Sequence, residues 1–181
     1  MRIASAGAVI MALAIAGCAP TPQVLVGPSF RDQSVAVTSI AGFDAARFAG
    51  TWRVVARLAA EGDPAGTMSE TFDMARTKDG FAVRHVYGKC DKLECVHVQT
   101  QELAKLAANG RFSMKHQGIA AEHWVHWVDG DFRVAAVGTP DGTFGWIMAR
   151  SPKPRGDLVK AAKEILHWQG YDIMRLRKVS Q

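Results

Sequence analysis

From residue 51 to residue 150 the chain alternates apolar and polar side chains in short bursts, and clusters of turn residues separate the bursts. The clearest burst is Trp52, Val54, Ala56 and Leu58 against Thr51, Arg53, Val55 and Arg57. Successive strand residues point to opposite faces, so this period of two describes a strand with one apolar face. The same reading predicts strands over 51–58, 68–75, 81–88, 96–103, 111–117, 123–128, 132–138 and 144–150. Lys78-Asp79-Gly80, Asn109-Gly110, Asp129-Gly130-Asp131 and Pro140-Asp141-Gly142 supply the reversals between them. Strands at this spacing, with hairpin-length links and no crossover helices, predict an all-β fold: an eight-stranded antiparallel up-and-down barrel. Closure removes exposed sheet edges, and a barrel of this size has room for one small ligand. The run Leu103-Ala104-Lys105-Leu106-Ala107-Ala108 is the least strand-like, because its residues favour helix.

Past residue 150 the period changes. Leu158, Ala161, Ala162, Ile165 and Leu166 fall on one helical stripe, with Asp157 as the expected cap and Gly170 as the stop. The stripe predicts one C-terminal helix packed outside the barrel. Residues 171–176 then return to an extended pattern. Ahead of the first strand, Asp44 is placed to cap a helical turn over residues 43–48.

The first residues are a processing signal rather than fold. Arg2 precedes an uncharged apolar run over 3–17, shorter than the ~20 residues of a spanning helix. The run ends Leu13-Ala14-Ile15-Ala16-Gly17-Cys18, a bacterial lipobox pattern in which Cys18 carries lipid. The competing reading is an ordinary signal peptide cut elsewhere. Residues 1–17 are thus expected as the signal peptide and 18–35 as a Pro-rich tether. Residues 36–181 are the folded domain. Ala19 after the cysteine implies sorting to the bacterial outer membrane, on its periplasmic face.

With Cys18 lipidated, Cys90 and Cys95 remain as an even pair in an oxidising compartment, across a loop of hairpin length. They are expected to form a disulfide. A two-thiolate metal site would need two further ligands that no nearby spacing supplies. The net charge of +5 is scattered, with no basic stripe among aromatics, so nucleic acid is not an expected partner.

Three local patterns carry a family resemblance. Phe43-Asp44-Ala45-Ala46-Arg47-Phe48-Ala49-Gly50-Thr51-Trp52 contains the Gly-x-Trp signature of lipocalins. Gly145-Trp146-Ile147-Met148-Ala149-Arg150-Ser151-Pro152 is similar to the family's third conserved region, where the arginine packs on the base tryptophan. Gly170-Tyr171-Asp172 is similar to its post-helix segment. From about Val35 to Val179 the chain resembles the lipocalins, above all the bacterial outer-membrane lipocalins and apolipoprotein D. It departs at Asp129-Gly130-Asp131-Phe132, where the second conserved region usually has tyrosine, and at Arg53, where an aromatic is common.

Gly50, Trp52 and Arg150 are expected to be structural, with the guanidinium over the indole. The resemblance to apolipoprotein D implies that Trp146, Met148 and Phe72 face inward. Parity then adds Glu70 and Met74, then Val83, His85 and Tyr87, then Trp124 and His126, and on the first strand Val54, Ala56 and Leu58. Such a lining suits an elongated apolar ligand, with Glu70, His85, Tyr87 and His126 near a headgroup. No cofactor is expected, and no metal. His123 and His126 are three apart on a strand and face opposite sides, and no HExxH-like pattern occurs.

The function expected is that of a membrane-anchored, non-enzymatic lipocalin. It would bind, store or transfer a fatty acid, a lysophospholipid or a similar small hydrophobic molecule at the envelope. The alternatives are an enzyme on this scaffold, with Tyr87, His85 or Glu70 as acid–base groups, and an envelope module that binds protein through a filled barrel.

Overall fold

The computed structural model describes residues 28–91 and 93–181. A short helix α1 (Ala45–Phe48) leads into β1 (Gly50–Leu58), and seven more strands follow in sequence. They are β2 (Thr71–Arg76), β3 (Gly80–Cys90), β4 (Cys95–Leu106), β5 (Arg111–His116), β6 (Ile119–Val128), β7 (Val134–Gly138) and β8 (Gly145–Ala149). A helix α2 (Gly156–Trp168) and a three-residue strand β9 (Leu176–Lys178) complete the fold.

Each strand pairs antiparallel with the next, and β1 closes the ring. Its first half pairs with β2, from Gly50↔Met74 to Arg53↔Thr71. Its second half pairs with β8 on one side and β9 on the other. The result is the expected eight-stranded barrel with one extra strand and one helix outside. The seam between β4 and β5 is the narrowest, with only Lys105↔Ser113 and Leu106↔Phe112 in register.

Local chemistry explains most boundaries. Asp44 Oδ1 accepts from the amides of Ala46 and Arg47, capping α1. The β5–β6 hairpin turns on Gln117 and Gly118, both at positive φ (51° and 83°), as a two-residue type I′ turn demands. That tight turn starts β6 at Ile119, four residues ahead of the His123 expected from the pattern. Leu103–Leu106 stay in β4 despite their helix propensity, because Gly80, Phe81 and Ala82 of β3 pair with Lys105, Ala104 and Leu103. Helix α2 starts earlier than expected as well. Its N-cap is Arg155, without a side-chain cap bond, and Asp157 sits in the first turn, ion-paired to Arg155. There the carboxylate still faces the positive end of the helix dipole. Gly170 follows the helix at φ 88°.

Two apolar clusters hold the molecule together. One fills the barrel and includes Phe48, Trp52, Phe72, Phe81, Phe112, Val125, Trp146 and Met148. The other lies outside the wall, where Ala162 and Leu166 of α2 and Tyr171 meet Leu58, Val134, Ala136, Ile147 and Ala149. Strands β7 and β8 are buried on both faces, which is why they read as unbroken apolar runs.

Residues 28–35, expected as part of the tether, are docked on the barrel. Arg31 bridges to Tyr171, and its Nε donates to the Gln169 carbonyl at 2.7 Å. The lipobox, Cys18 and the remainder of the tether lie outside the described residues.

Candidate functional site

The barrel interior is stacked in layers, and the lowest is the closed end. Gly50 has φ 102°, and a Cβ there would stand 3.0 Å from the Arg150 guanidinium. Arg150 lies over the fully buried Trp52 ring at 3.9 Å. Its Nη2 donates to the carbonyls of Arg47, Phe48 and Ala49 at 2.7–3.0 Å, and its Nη1 to Thr51 at 3.0 Å. Burial pulls the guanidinium down to about 10, still charged at neutral pH. Trp52 Nε1 donates to Phe48 at 2.8 Å, so both side chains tie α1 across the floor.

Above the floor comes a layer of aromatic and imidazole rings. Phe72 stacks on His85 at 4.1 Å, and His85 stacks on Tyr87 at 4.7 Å. His116 meets Phe144 at 4.1 Å and both His85 and Trp146 at 4.9 Å. His123 stacks between Trp146 and Phe112, at 5.5 Å from each. A buried acid sits in this layer. Glu70 Oε1 accepts from Trp146 Nε1 at 3.2 Å and lies 2.9 Å from His85 Nε2, while Oε2 accepts from Arg57 Nη1 at 3.2 Å. Asp63 approaches the other side of Arg57, at 3.7 Å. Desolvation holds His116 well below its ordinary value, helped by His85, His123 and Arg57. Desolvation likewise brings His123 down to about 4. Tyr87 is raised, by burial first and then by Glu70.

These rings fill most of the interior, so the open space lies above them. A cavity of about 360 Å³ occupies the barrel mouth. Arg57, His116, Trp146 and Phe144 line it, with Phe30 and Pro28 at its rim. Three of its lining residues carry buried polar atoms without a partner among the described residues: Arg57 Nε, His116 Nδ1 and Thr143 Oγ1. A larger concavity, about 1050 Å³, is not part of the interior. It lies on the outer face of β1–β4, among the outward side chains of Thr51, Asp73, Arg84 and Leu103, and encloses nothing.

Glu70, Phe72, Met74, Val83, His85, Tyr87, Val54, Trp146 and Met148 all point into the barrel. Four expected lining residues do not. A β-bulge between Val54 and Ala56 shifts the parity of β1. Ala56 and Leu58 therefore turn outward into the cluster under α2, and Arg57 turns in to meet Glu70. Trp124 lies outside, with Arg111 over its ring at 3.9 Å. His126 is also outside, on the parity of Trp124, and sits at a second bulge between Val125 and Trp127. Its Nδ1 lies 2.6 Å from the Thr38 carbonyl and its Nε2 3.0 Å from the Tyr171 hydroxyl. Burial takes His126 to about 4, so the neutral ring donates Nδ1–H to Thr38, while the Tyr171 hydroxyl beside Nε2 donates to the Thr139 carbonyl at 2.8 Å. His123 and His126 do face opposite sides of the wall.

His116 is the residue that the sequence reading does not single out. The signal was present: Phe112, Met114 and His116 alternate on β5, and all three are buried. At the rim, Cys90 and Cys95 form a disulfide that closes the β3–β4 hairpin.

Residues 43–181 match the family model of the lipocalin-like domain. Temperature-induced lipocalin-1 of Arabidopsis thaliana is 30% identical over 63 residues, which is 35% of this chain and 34% of the plant protein. The chain thus spans about a third of that relative. Lobster apocrustacyanin A1 superposes with a TM-score of 0.59 at 14% identity, covering 76% of this chain and 79% of its own. The cockroach allergen Per a 4 superposes at 0.60 and 14% identity, covering 83% and 96%. Barrel closure, the arginine seated on the base tryptophan, the outer helix and the family match lead to one conclusion: this chain belongs to the lipocalin-like family.

Proposed function

We propose that the protein is a membrane-tethered carrier of a small, mainly apolar molecule with one polar end, held in the mouth cavity. The observation that supports this most directly is the cavity itself, apolar along Phe144, Trp146 and Phe30 yet edged by unpartnered polar atoms of Arg57, His116 and Thr143. Buried polar groups are normally hydrogen-bonded, so a ligand that accepts from Arg57 and Thr143 would complete them. A hydrogen-bond-accepting end such as a carboxyl, ester or ketone fits those donors.

At about 360 Å³ the cavity is at the small end of ligand sites. A fatty acid or lysophospholipid therefore enters with only part of its chain enclosed, and its polar end sits deep rather than at the rim. Apolar burial drives binding, at about 0.8 kcal/mol per methylene. The tether would run from lipid on Cys18 to Pro28, which lies at the cavity rim. The carrier would thus work at the outer membrane with its mouth close to the anchor.

Displacement of a fluorescent fatty acid by a series from hexanoate to palmitate tests the reading, with native mass spectrometry as the second readout. Affinity should rise with chain length and then level off once the enclosed part is full. Failure to bind any member of the series overturns it. Retention of a Cys18→Ser variant in the membrane fraction would remove the tether.

A further inference from the structure

Glu70, His85 and His116 each offer one ligand atom, and the three atoms lie within 4.8 Å of one another. All three residues are buried, at 2%, 2% and 1% exposure. They come from different places: Glu70 just before β2, His85 on β3 and His116 at the end of β5. Only the closed barrel brings them together. We propose that they form a site for one divalent transition-metal ion, of the zinc, cobalt or iron(II) type. The ion would sit at the floor of the mouth cavity with its open coordination side toward that cavity.

Several observations carry this. Donors that share one such ion lie about 2.0–2.2 Å from it, so they stand roughly 3 Å or a little more from each other. His85 Nε2 and Glu70 Oε1 are already 2.9 Å apart. With every ligand atom within 4.8 Å of the others, His116 has to close by less than about 2 Å to complete the set. A histidine that merely fills a core has both ring nitrogens occupied or wet. Among the described residues His85 Nδ1, His116 Nδ1 and His123 Nε2 are buried without a partner; of the three rings only those of His85 and His116 share a cluster with a carboxylate, and His85 already turns its Nε2 to Glu70. Two nitrogens and one carboxylate oxygen suit zinc and its first-row neighbours rather than magnesium or calcium.

The surroundings supply a second shell. Trp146 Nε1 donates to Glu70 Oε1, and Arg57 holds Oε2, so Oε1 is the oxygen turned toward the histidines. Arg57 also repels a cation, and Asp63 at 3.7 Å offsets part of that repulsion. The opposing charge sets an affinity weaker than that of a structural zinc site. Three protein donors leave at least one position for an outside ligand, as in catalytic zinc sites. His116 lines the cavity, so that position opens where the carrier's ligand would place its polar end. The metal site itself does not depend on the carrier reading; only this last point does.

The test is titration of the metal-stripped full-length chain with zinc by calorimetry and with cobalt by absorption spectroscopy. One equivalent should bind, and the cobalt spectrum should report nitrogen and oxygen donors. His116→Phe keeps a ring in the aromatic layer, and Glu70→Gln keeps the side chain's size. Each should weaken binding about tenfold or more, while His97→Ala, at an exposed histidine, should leave it unchanged. Thermal melts of the metal-free variants establish that they are folded. No stoichiometric binding, or binding that persists in both folded site variants, overturns the proposal. So does binding that disappears in His97→Ala. Fatty-acid displacement is measured separately in EDTA, so failure of the metal site and failure of the carrier reading are told apart.

Discussion

Replacing Arg150 with lysine tests the closed end directly. The arginine reaches the carbonyls of Arg47, Phe48, Ala49 and Thr51 at 2.7–3.0 Å and lies 3.9 Å over Trp52. Lysine keeps the charge and has a stem that fits the same channel, but it ends in one compact ammonium. A point donor can satisfy one or two of these carbonyls, whereas the planar fork serves two groups of them from two nitrogens. Two or three bonds are lost at about 1 kcal/mol each, and the flat stacking on the indole goes with them. The expected loss is therefore about 3 kcal/mol. For a domain of this length that lowers the melting temperature by roughly 6–12 °C. Urea unfolding followed by tryptophan fluorescence gives the free energy, and calorimetry gives the melting temperature. Arg150→Ala serves as the reference and should cost at least as much. If Arg150→Lys stays within about 1 kcal/mol of the parent, the carbonyl network does not hold the floor and the reasoning fails.

Other expectations are as specific. His123 and His126 are both brought down to about 4 by burial, from an ordinary 6.5. The unfolded chain therefore binds protons that the folded one refuses. Stability is full above about pH 6.5 and is lost as pH falls toward 4, by up to about 3 kcal/mol for each histidine; a urea midpoint that is flat from pH 7 to 5 would contradict this. Gly138→Ala places a Cβ 2.3 Å from the Tyr171 hydroxyl. Tyr171 is fixed by Thr139 and His126, so the clash should cost about 1–3 kcal/mol or more in urea unfolding. Replacing Cys90 and Cys95 by alanine opens a very short loop, and the chain-entropy model predicts about 2 kcal/mol of lost stability, measurable as a drop in melting temperature.

The strands were legible because turn chemistry and alternation agree. Each reversal signalled by Gly, Asn, Asp or Pro falls between two strands of the barrel. The lining was legible only where a strand is regular. On β2 and β3 strict alternation puts Phe72, Met74, Val83, His85 and Tyr87 inside. On β1 the bulge after Val54 inserts one residue, and every parity assignment beyond it is reversed. Nothing in Val54-Val55-Ala56-Arg57 marks that insertion. Ala56 and Leu58 added to the ambiguity, because α2 and β9 cover the outer face and both faces are apolar. On β6, Trp124 is a large aromatic whose size alone suggests an inside residue. Its indole is covered by Arg111, so it is sheltered without entering the barrel. The site's centre, Glu70 with Arg57, His85 and His116, depends on the β1 bulge and on which residues the closed ring sets at one level, and the spacing that predicts the barrel gives neither.

The β4–β5 seam has a consequence for how this barrel breathes. Beyond Lys105 and Leu106, β4 runs on to Cys95 with no strand partner on that side among the described residues, so one flank of the wall is a loose lapel rather than a stitched panel. Amides along that flank should trade their protons for deuterium well before those of β7 and β8, which are clasped on every side. The cup should then gape along its length, and a guest too long to enter past Pro28 and Phe30 would have a slit to slide through.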